Sequence, residues 1–195
     1  RMMATRGAII SLLRHAYVRR DKVALVAFSG RSARIVLRPT SSVDLAERRM
    51  ERLSIGGTTP LTHGLVTALK LIKTERLRDP HVYPLLVLIS DGRGNISLFG
   101  EEPLLEAQRC AAQIKSDGIR AMVIDSTRDF SHQPGHARSR IASLYGAYAF
   151  NVCGDLAERL GGRYYGLLDL SQNAIVESVN REMRQASRNP AASNE

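Results

Sequence analysis

The chain has 195 residues and a formal net charge of +9, from 28 Lys and Arg against 19 Asp and Glu. With 44% hydrophobic and 24% charged residues, it is excluded from the disordered and collagen-like classes and is typical of a single globular domain. Apolar runs stay well short of the roughly 20 residues of a membrane span, and two cysteines, Cys110 and Cys153, are too few for a disulfide scaffold. We therefore expect a cytoplasmic protein. Its charge alone leaves nucleic acid, an anionic membrane or an acidic protein as partners.

The first 40 residues predict one helix and two strands. Apolar residues recur at helical spacing between Ile9 and Tyr17. The continuous apolar run at 23–28 is typical of a strand covered on both faces. The shorter run at 34–38 has charged ends and is followed by Pro39, which we expect to end a strand at the sheet edge.

Two helix starts and a central strand follow. Ser41 and Asp44 fit a capping box. Thr59 is placed to cap a second helix in which Pro60 is the first residue. The most hydrophobic stretch, 85–89, predicts a buried strand that ends in Ser-Asp-Gly.

The second half continues the alternation of helices and strands. It predicts helices at 104–114, 156–160 and 175–183, and strands at 119–124 and 164–168. Residues 127–152 interrupt this rhythm and are interpreted as a loop insertion. We therefore predict one α/β domain over residues 1–186, with a doubly wound, mostly parallel, Rossmann-like sheet and helices on both faces, followed by a disordered tail at 187–195.

Two polar residues fall where ligands bind in such folds, beyond the carboxyl ends of the strands. Asp91 follows the 85–89 strand, and Thr59 lies in a Gly-rich loop at the start of a helix. A carboxylate and a hydroxyl are hard oxygen donors that suit Mg²⁺. Two simpler interpretations remain open: Thr59 as an N-cap only, and Asp91 before Gly92 as a turn former only.

Three motifs in order carry a resemblance to a known family. They are Lys-Val-Ala-Leu-Val-Ala-Phe at 22–28, Gly-Gly-Thr-Thr-Pro-Leu at 56–61 and Leu-Val-Leu-Ile-Ser-Asp-Gly at 86–92. Together they resemble a von Willebrand factor A (VWA) domain, and are most similar to the C-terminal A domain of the D subunit of magnesium chelatase and of cobaltochelatase-type proteins. The resemblance covers about residues 4–126 and 154–183.

The resemblance implies a metal-ion-dependent adhesion site. In the family it consists of an Asp-x-Ser-x-Ser loop after the first strand, a Thr and an Asp; by position the Thr is Thr59, with Thr58 as the alternative, and the Asp is Asp91. The Asp-x-Ser-x-Ser element has no match in this sequence, and the first, central strand before it is also missing. We therefore expect an N-terminally truncated domain, a gap between the strands at 23–28 and 85–89, and an incomplete Mg²⁺ site.

The implied function is docking rather than catalysis. No Walker A motif is present, and the resemblance implies a non-catalytic part of an ATP-dependent chelatase complex. Through an acidic metal ligand it would assemble the AAA+ motor with the porphyrin-binding subunit for metal insertion into a tetrapyrrole, without a membrane partner. The alternatives are a generic VWA binding or adhesion module unrelated to tetrapyrroles and, less favoured because the arginines are dispersed, a nucleic-acid-binding domain.

Overall fold

A computed structural model of the chain describes residues 2–51, 58–92, 94–126, 152–166 and 176–183. The helices are α1 (Met2–Val18), α2 (Val43–Glu51), α3 (Leu61–Arg78), α4 (Pro103–Ser116), α5 (Val152–Arg159) and α6 (176–183). The strands are β1 (Val23–Ser29), β2 (Ser32–Thr40), β3 (Leu85–Ser90), β4 (Arg120–Asp125) and β5 (Arg163–Gly166). Within these ranges no helix combines the length and the apolar character needed to cross a bilayer.

The strands form two groups. β1 and β2 are an antiparallel hairpin, while β3, β4 and β5 pair in parallel in that order. The parallel strands are joined through helices, as parallel connections require. The predicted α/β fold with a mostly parallel sheet is therefore confirmed.

Alternation along β4 shows how the sheet is covered on both faces. Ala121 and Val123 point into a core cluster with α3, α4 and α5, whereas Met122 and Ile124 pack on the other face with α1 and α6. Because successive side chains of a strand point to opposite faces, one strand contributes to both cores. Helices on both faces, as predicted, follow from this arrangement.

Two helices connect the hairpin to the parallel strands. On α1, Leu12 packs against the cluster of Met122 and Ile124, to which β3 also contributes. Its neighbour Leu13 packs with residues of β1 and β2. On the opposite face, Phe28 of β1 packs against the cluster that contains Leu65 of α3. The approach of α3 depends on Gly64, since a Cβ there would lie 2.6 Å from the Phe28 ring.

In the part of the chain that the structure describes, an unpaired edge remains between the two groups of strands. Among the described residues β1 pairs only with β2, and β3 pairs only with β4. The second side of each of these two strands has no partner strand in those residues. The exposure of the strands agrees with this: β4 is buried from Ala121 onward, whereas in β3 only Leu88 and Ser90 are fully buried. This open edge lies where the sequence predicted a gap.

Two local predictions are wrong. Pro39 does not end β2, which continues to Thr40; the register with β1 shifts between Leu37 and Thr40, and a proline is tolerated at such an irregularity of the pairing. The cap of α2 comes from Ser42 rather than Ser41, because the Ser42 hydroxyl accepts from the Leu45 amide at 3.4 Å. The predicted insertion, except its last residue, and the predicted tail lie outside the described residues, so the domain bounds stay predictions.

Candidate functional site

Thr59 lies one residue before the cap position of α3 and does not cap the helix. The cap position is Pro60, which makes no side-chain cap hydrogen bond, and the helix begins at Leu61. The Leu61 amide donates instead to the Thr59 backbone carbonyl at 2.9 Å. The capping prediction for Thr59 is therefore wrong, and with it the simpler interpretation of this residue. Within the described part of the chain, its hydroxyl makes no hydrogen bond.

The neighbouring Thr58 has its hydroxyl in use. That hydroxyl donates to the backbone carbonyl of Gly30, in the turn between β1 and β2. This hydrogen bond directs the Thr58 hydroxyl toward the hairpin turn, so Thr59 remains the first candidate for a metal ligand. The two threonines of the Gly-rich loop thus differ in role, with Thr58 attached to the hairpin and Thr59 facing the loop that follows β3.

Asp91 is half-buried and directly follows β3. The next residue, Gly92, has φ of +72°, and its amide donates to the Ser90 hydroxyl at 3.1 Å. A Cβ on Gly92 would lie 3.1 Å from the Cys153 sulfur and from Val152 at the start of α5. The turn that carries Asp91 is therefore packed closely on α5, and a larger residue at 92 would displace it.

Asn95 joins the two loops. Its side-chain oxygen accepts from the Thr59 amide at 2.8 Å, and its amide donates to the Thr59 carbonyl at 3.3 Å. Three residues earlier, the Gly92 carbonyl accepts from the Gly94 amide at 2.9 Å. This short chain of hydrogen bonds links the Thr59 loop to the segment that begins at Asp91.

A second carboxylate at this edge of the sheet was not predicted as a site residue. Asp125 ends β4, lies opposite Ser90 in the strand register and is 4% exposed. The Tyr164 hydroxyl donates to its Oδ2 at 2.9 Å. The available signal was its place at the carboxyl end of the strand next to that of Asp91, since parallel strands end at a common edge.

The Cys153 thiol lies where the charges of Asp91 and Asp125 both affect its pKa. Its thiol donates to the Ser90 carbonyl at 3.6 Å. Burial raises the pKa of the Cys153 thiol, and the negative charges of Asp125 and Asp91 raise it further. Both carboxylates therefore act on one sulfur, which stays protonated and is no nucleophile. Cys110 packs against the core, and burial raises its pKa to about 11.

The donors present fit a divalent cation in kind but not in number. Carboxylate and hydroxyl oxygens are the ligands that Mg²⁺ prefers, and it tolerates several waters in its shell. In the described ranges, however, no group of three or more His, Cys, Asp or Glu side chains is arranged to hold a metal. A cation bound here would need ligands from outside these residues.

Comparison with known proteins identifies the relatives of this chain. Residues 1–93 match the family model described as von Willebrand factor type A domain. A magnesium-chelatase 67 kDa subunit of Chlorobaculum parvum is 35% identical over 190 residues, which cover 92% of this chain and 28% of that subunit. An uncharacterized protein of Methanocaldococcus jannaschii, MJ0910, is 30% identical over 177 residues, which cover 91% of this chain and 92% of that protein.

A solved structure shares the fold. The crystal structure of a conserved hypothetical protein, BatB, from Bacteroides thetaiotaomicron aligns with a TM-score of 0.64 at 19% identity, covering 94% of this chain and 89% of that one. At this identity the likeness concerns the fold alone. The chain spans about a quarter of the length of the chelatase subunit that it matches, 28% in the alignment above.

Proposed function

The chain belongs to the von Willebrand factor type A family, as a domain of the kind found in magnesium-chelatase D-type proteins, and from this we propose that it is a metal-dependent protein-interaction domain. In this proposal Thr59 and Asp91 contribute the chain's own ligands to Mg²⁺. An acidic side chain of a protein partner completes the coordination. The domain itself performs no catalysis.

The observation that supports the proposal most is the hydrogen bonding of Asn95 to Thr59. It fixes the backbone of the Thr59 loop against the segment that follows Asp91, at 2.8 and 3.3 Å. A ligand loop that is held before metal arrives loses less conformational entropy on binding. Because the Thr59 hydroxyl does not cap α3, its oxygen is available to coordinate the metal ion.

Each residue has a distinct task in this proposal. Bound Mg²⁺ would supply a local positive charge that attracts a carboxylate. Asp91 provides the anionic ligand and Thr59 a neutral one. Buried Asp125, one strand away, adds negative potential that favours a cation at this edge. Because few of the ligands come from these residues, we expect weak metal binding that strengthens when the partner's carboxylate is present.

The partners in this proposal are the other subunits of a chelatase-type complex. The domain would assemble the AAA+ motor with the porphyrin-binding subunit, in the cytoplasm, for metal insertion into a tetrapyrrole. The net charge of +9 favours partners whose docking surfaces are acidic.

The test is Mg²⁺-dependent binding of the native full-length protein to each of these purified subunits. Thr59→Val and Asp91→Asn should each weaken binding about tenfold or more in saturating Mg²⁺, because each removes a metal ligand. Thr58→Val is the matched control: it changes the same loop by the same chemistry but removes a hydroxyl already bonded to Gly30. It should leave the Mg²⁺ dependence in place.

Three results would contradict the proposal. Binding that is equally strong in Mg²⁺ and in a chelator rejects the metal. No association with either subunit favours the generic VWA module. Binding to DNA that persists at high salt, with Mg²⁺ irrelevant, favours the nucleic-acid alternative, since phosphate contacts alone weaken steeply with salt.

A further inference from the structure

Strand β2 is the outer strand of the hairpin. Among the described residues it pairs only with β1, and its outer side has no partner strand. Several of its residues are exposed to solvent, namely Ser32, Arg34, Ile35 and Arg38. In an antiparallel pair alternate residues direct their N–H and C=O groups away from the partner strand. Within the described part of the chain, this edge therefore presents backbone donors and acceptors to solvent.

The part of the edge nearest the hairpin turn is regular enough to pair with another strand. The register of β1 with β2 is unbroken from the pair Ser29 and Ser32 to the pair Val26 and Ile35. Irregularities begin beyond Ile35, and Pro39 has no N–H to donate. An added strand therefore fits beside the first residues of β2, from Ser32 to Ile35.

Positive charge is concentrated along this strand. Residues 22–43 contain no Asp or Glu but four basic residues, Lys22, Arg31, Arg34 and Arg38. The three arginines are exposed, and none of them forms an ion pair with another described residue. Other arginines in these ranges have carboxylate partners, as Arg109 has in Glu101. The edge of β2 thus offers unpaired cationic side chains together with unpaired backbone groups.

The charge of the edge disfavours a second copy of the chain as the added strand. Pairing β2 with β2 of another copy would place the arginines of both copies in one pair of strands, and like charges on facing strands are destabilising. The chain also has no acidic segment of its own outside the described ranges, since none of those segments contains more than one Asp or Glu. The strand that fits this edge is therefore acidic and belongs to another protein.

The backbone of the edge favours a peptide over a nucleic acid. A phosphate accepts hydrogen bonds but donates none, so it would leave the outward carbonyl groups of β2 without donors. Residues 29–45 also contain no aromatic side chain on which a base would stack. An extended peptide supplies both donors and acceptors at the spacing of a strand.

We propose that the outer edge of β2 is a docking site for an extended acidic segment of a partner protein. The segment adds to the sheet as a strand beside β2, and its carboxylates pair with Arg31, Arg34 and Arg38. The backbone hydrogen bonds provide affinity for an extended chain, and the arginines select an acidic one. This site does not include the candidate metal residues Thr59 and Asp91, and it does not depend on the proposed function.

The test uses a labelled peptide of alternating Thr and Glu residues and the native full-length protein, in a chelator and at about 0.15 M salt. The peptide should bind and should slow the hydrogen exchange of outward amides at 32–35 about tenfold or more. Two control peptides should each bind about tenfold more weakly or less. One has alternate amides N-methylated and cannot pair as a strand, and the other has Lys in place of Glu.

Variants of the protein test the arginines. Arg31→Gln, Arg34→Gln and Arg38→Gln should each weaken binding of the Thr-Glu peptide about twofold to fivefold, as the loss of one exposed ion pair does. The matched control is Arg181→Gln, which removes the same charge from an exposed position on α6 and should leave the affinity unchanged. Thr59→Val should also bind the peptide like wild type, so the metal proposal and this one fail separately.

Failure of the Thr-Glu peptide to bind overturns the proposal, and equal binding of the N-methylated peptide overturns the addition of a strand. Equal losses in Arg34→Gln and Arg181→Gln show that net charge alone attracts the peptide, which also overturns it. An oligothymidylate that protects the amides at 32–35 better than the peptide makes the edge a nucleic-acid site. Amides that already exchange slowly in the protein alone show that the edge is covered, by a second copy if the protein sediments as a dimer and by its own chain if it sediments as a monomer.

Discussion

The pKa of the Glu106 carboxyl group is about 2, against its ordinary value of 4.5. Burial by itself raises this pKa, but the hydrogen bonds from the Leu98 amide, the Ser97 hydroxyl and the Glu101 and Phe99 amides outweigh it. All four favour the ionised form. Because the pKa is lower in the folded state than in the unfolded one, the stability that Glu106 contributes is complete above about pH 4.5 and is lost as the pH falls from there toward 2.

We therefore predict that the loop at 97–101, whose amides bond to Glu106, opens in acid before α4 does. Hydrogen exchange of the amides at 97–101, corrected for intrinsic rates, should lose protection between pH 5 and pH 3 in wild type. In Glu106→Gln the same amides should be poorly protected at every pH, which corresponds to a loss of about 1–3 kcal/mol of local stability.

Glu101→Gln is the control for this prediction. Glu101 is half exposed and pairs with Arg109 at the surface, so its removal should change protection by less than about 0.5 kcal/mol. Equal pH profiles in wild type and Glu106→Gln would show that Glu106 does not hold the loop.

At the scale of elements, the junction of α5 and β5 depends on Gly162. A Cβ at this position would lie 2.2 Å from the Ala121 carbonyl oxygen and 2.7 Å from its carbon. These are backbone atoms of β4, which cannot move without disturbing its pairing with β5. Gly162→Ala should therefore lower the free energy of unfolding by about 1–3 kcal/mol, measured as a lower urea midpoint.

Gly94→Ala is the matched substitution. Its Cβ would meet Leu61 at 3.4 Å, an ordinary contact, and its φ is not in the left-handed region. It should change the midpoint little, because the contact requires no displacement and an alanine restricts the unfolded chain. Equal effects of the two substitutions would mean that the close approach at Gly162 relaxes without cost.

The helices and strands also show which parts of the structure could be predicted from the sequence. Periodicity located each helix and strand, because hydrophobic spacing records which face is buried. The local rules for proline and for helix caps failed at Pro39 and Thr59, because strand pairing and a backbone hydrogen bond determine the structure there. The roles of Glu106 and Asp125 were also missed. They depend on a loop that folds back and on a neighbouring strand, which no local pattern encodes.

At the scale of the whole molecule, the described strands leave an opening between β1 and β3. Helices α1 and α3 connect the two groups of strands on opposite faces, yet in the described residues neither β1 nor β3 has a partner on its second side. Unpaired backbone groups on a hydrophobic strand such as β3 are costly. We propose that a strand from outside the described residues pairs with both β1 and β3 and completes the sheet.

Hydrogen exchange on the native full-length protein tests this proposal. In a parallel strand the amides bond alternately to the two neighbouring strands, so an open edge leaves about half of them unprotected. If a strand fills the opening, the amides of β1 and β3 should all exchange as slowly as those of β4. The outer amides of β2 provide the internal reference, because β2 lies at the sheet edge in the described residues and should exchange fast. Exchange in β3 as fast as in β2 would show that the opening persists and that α1 and α3 alone hold the two groups of strands together.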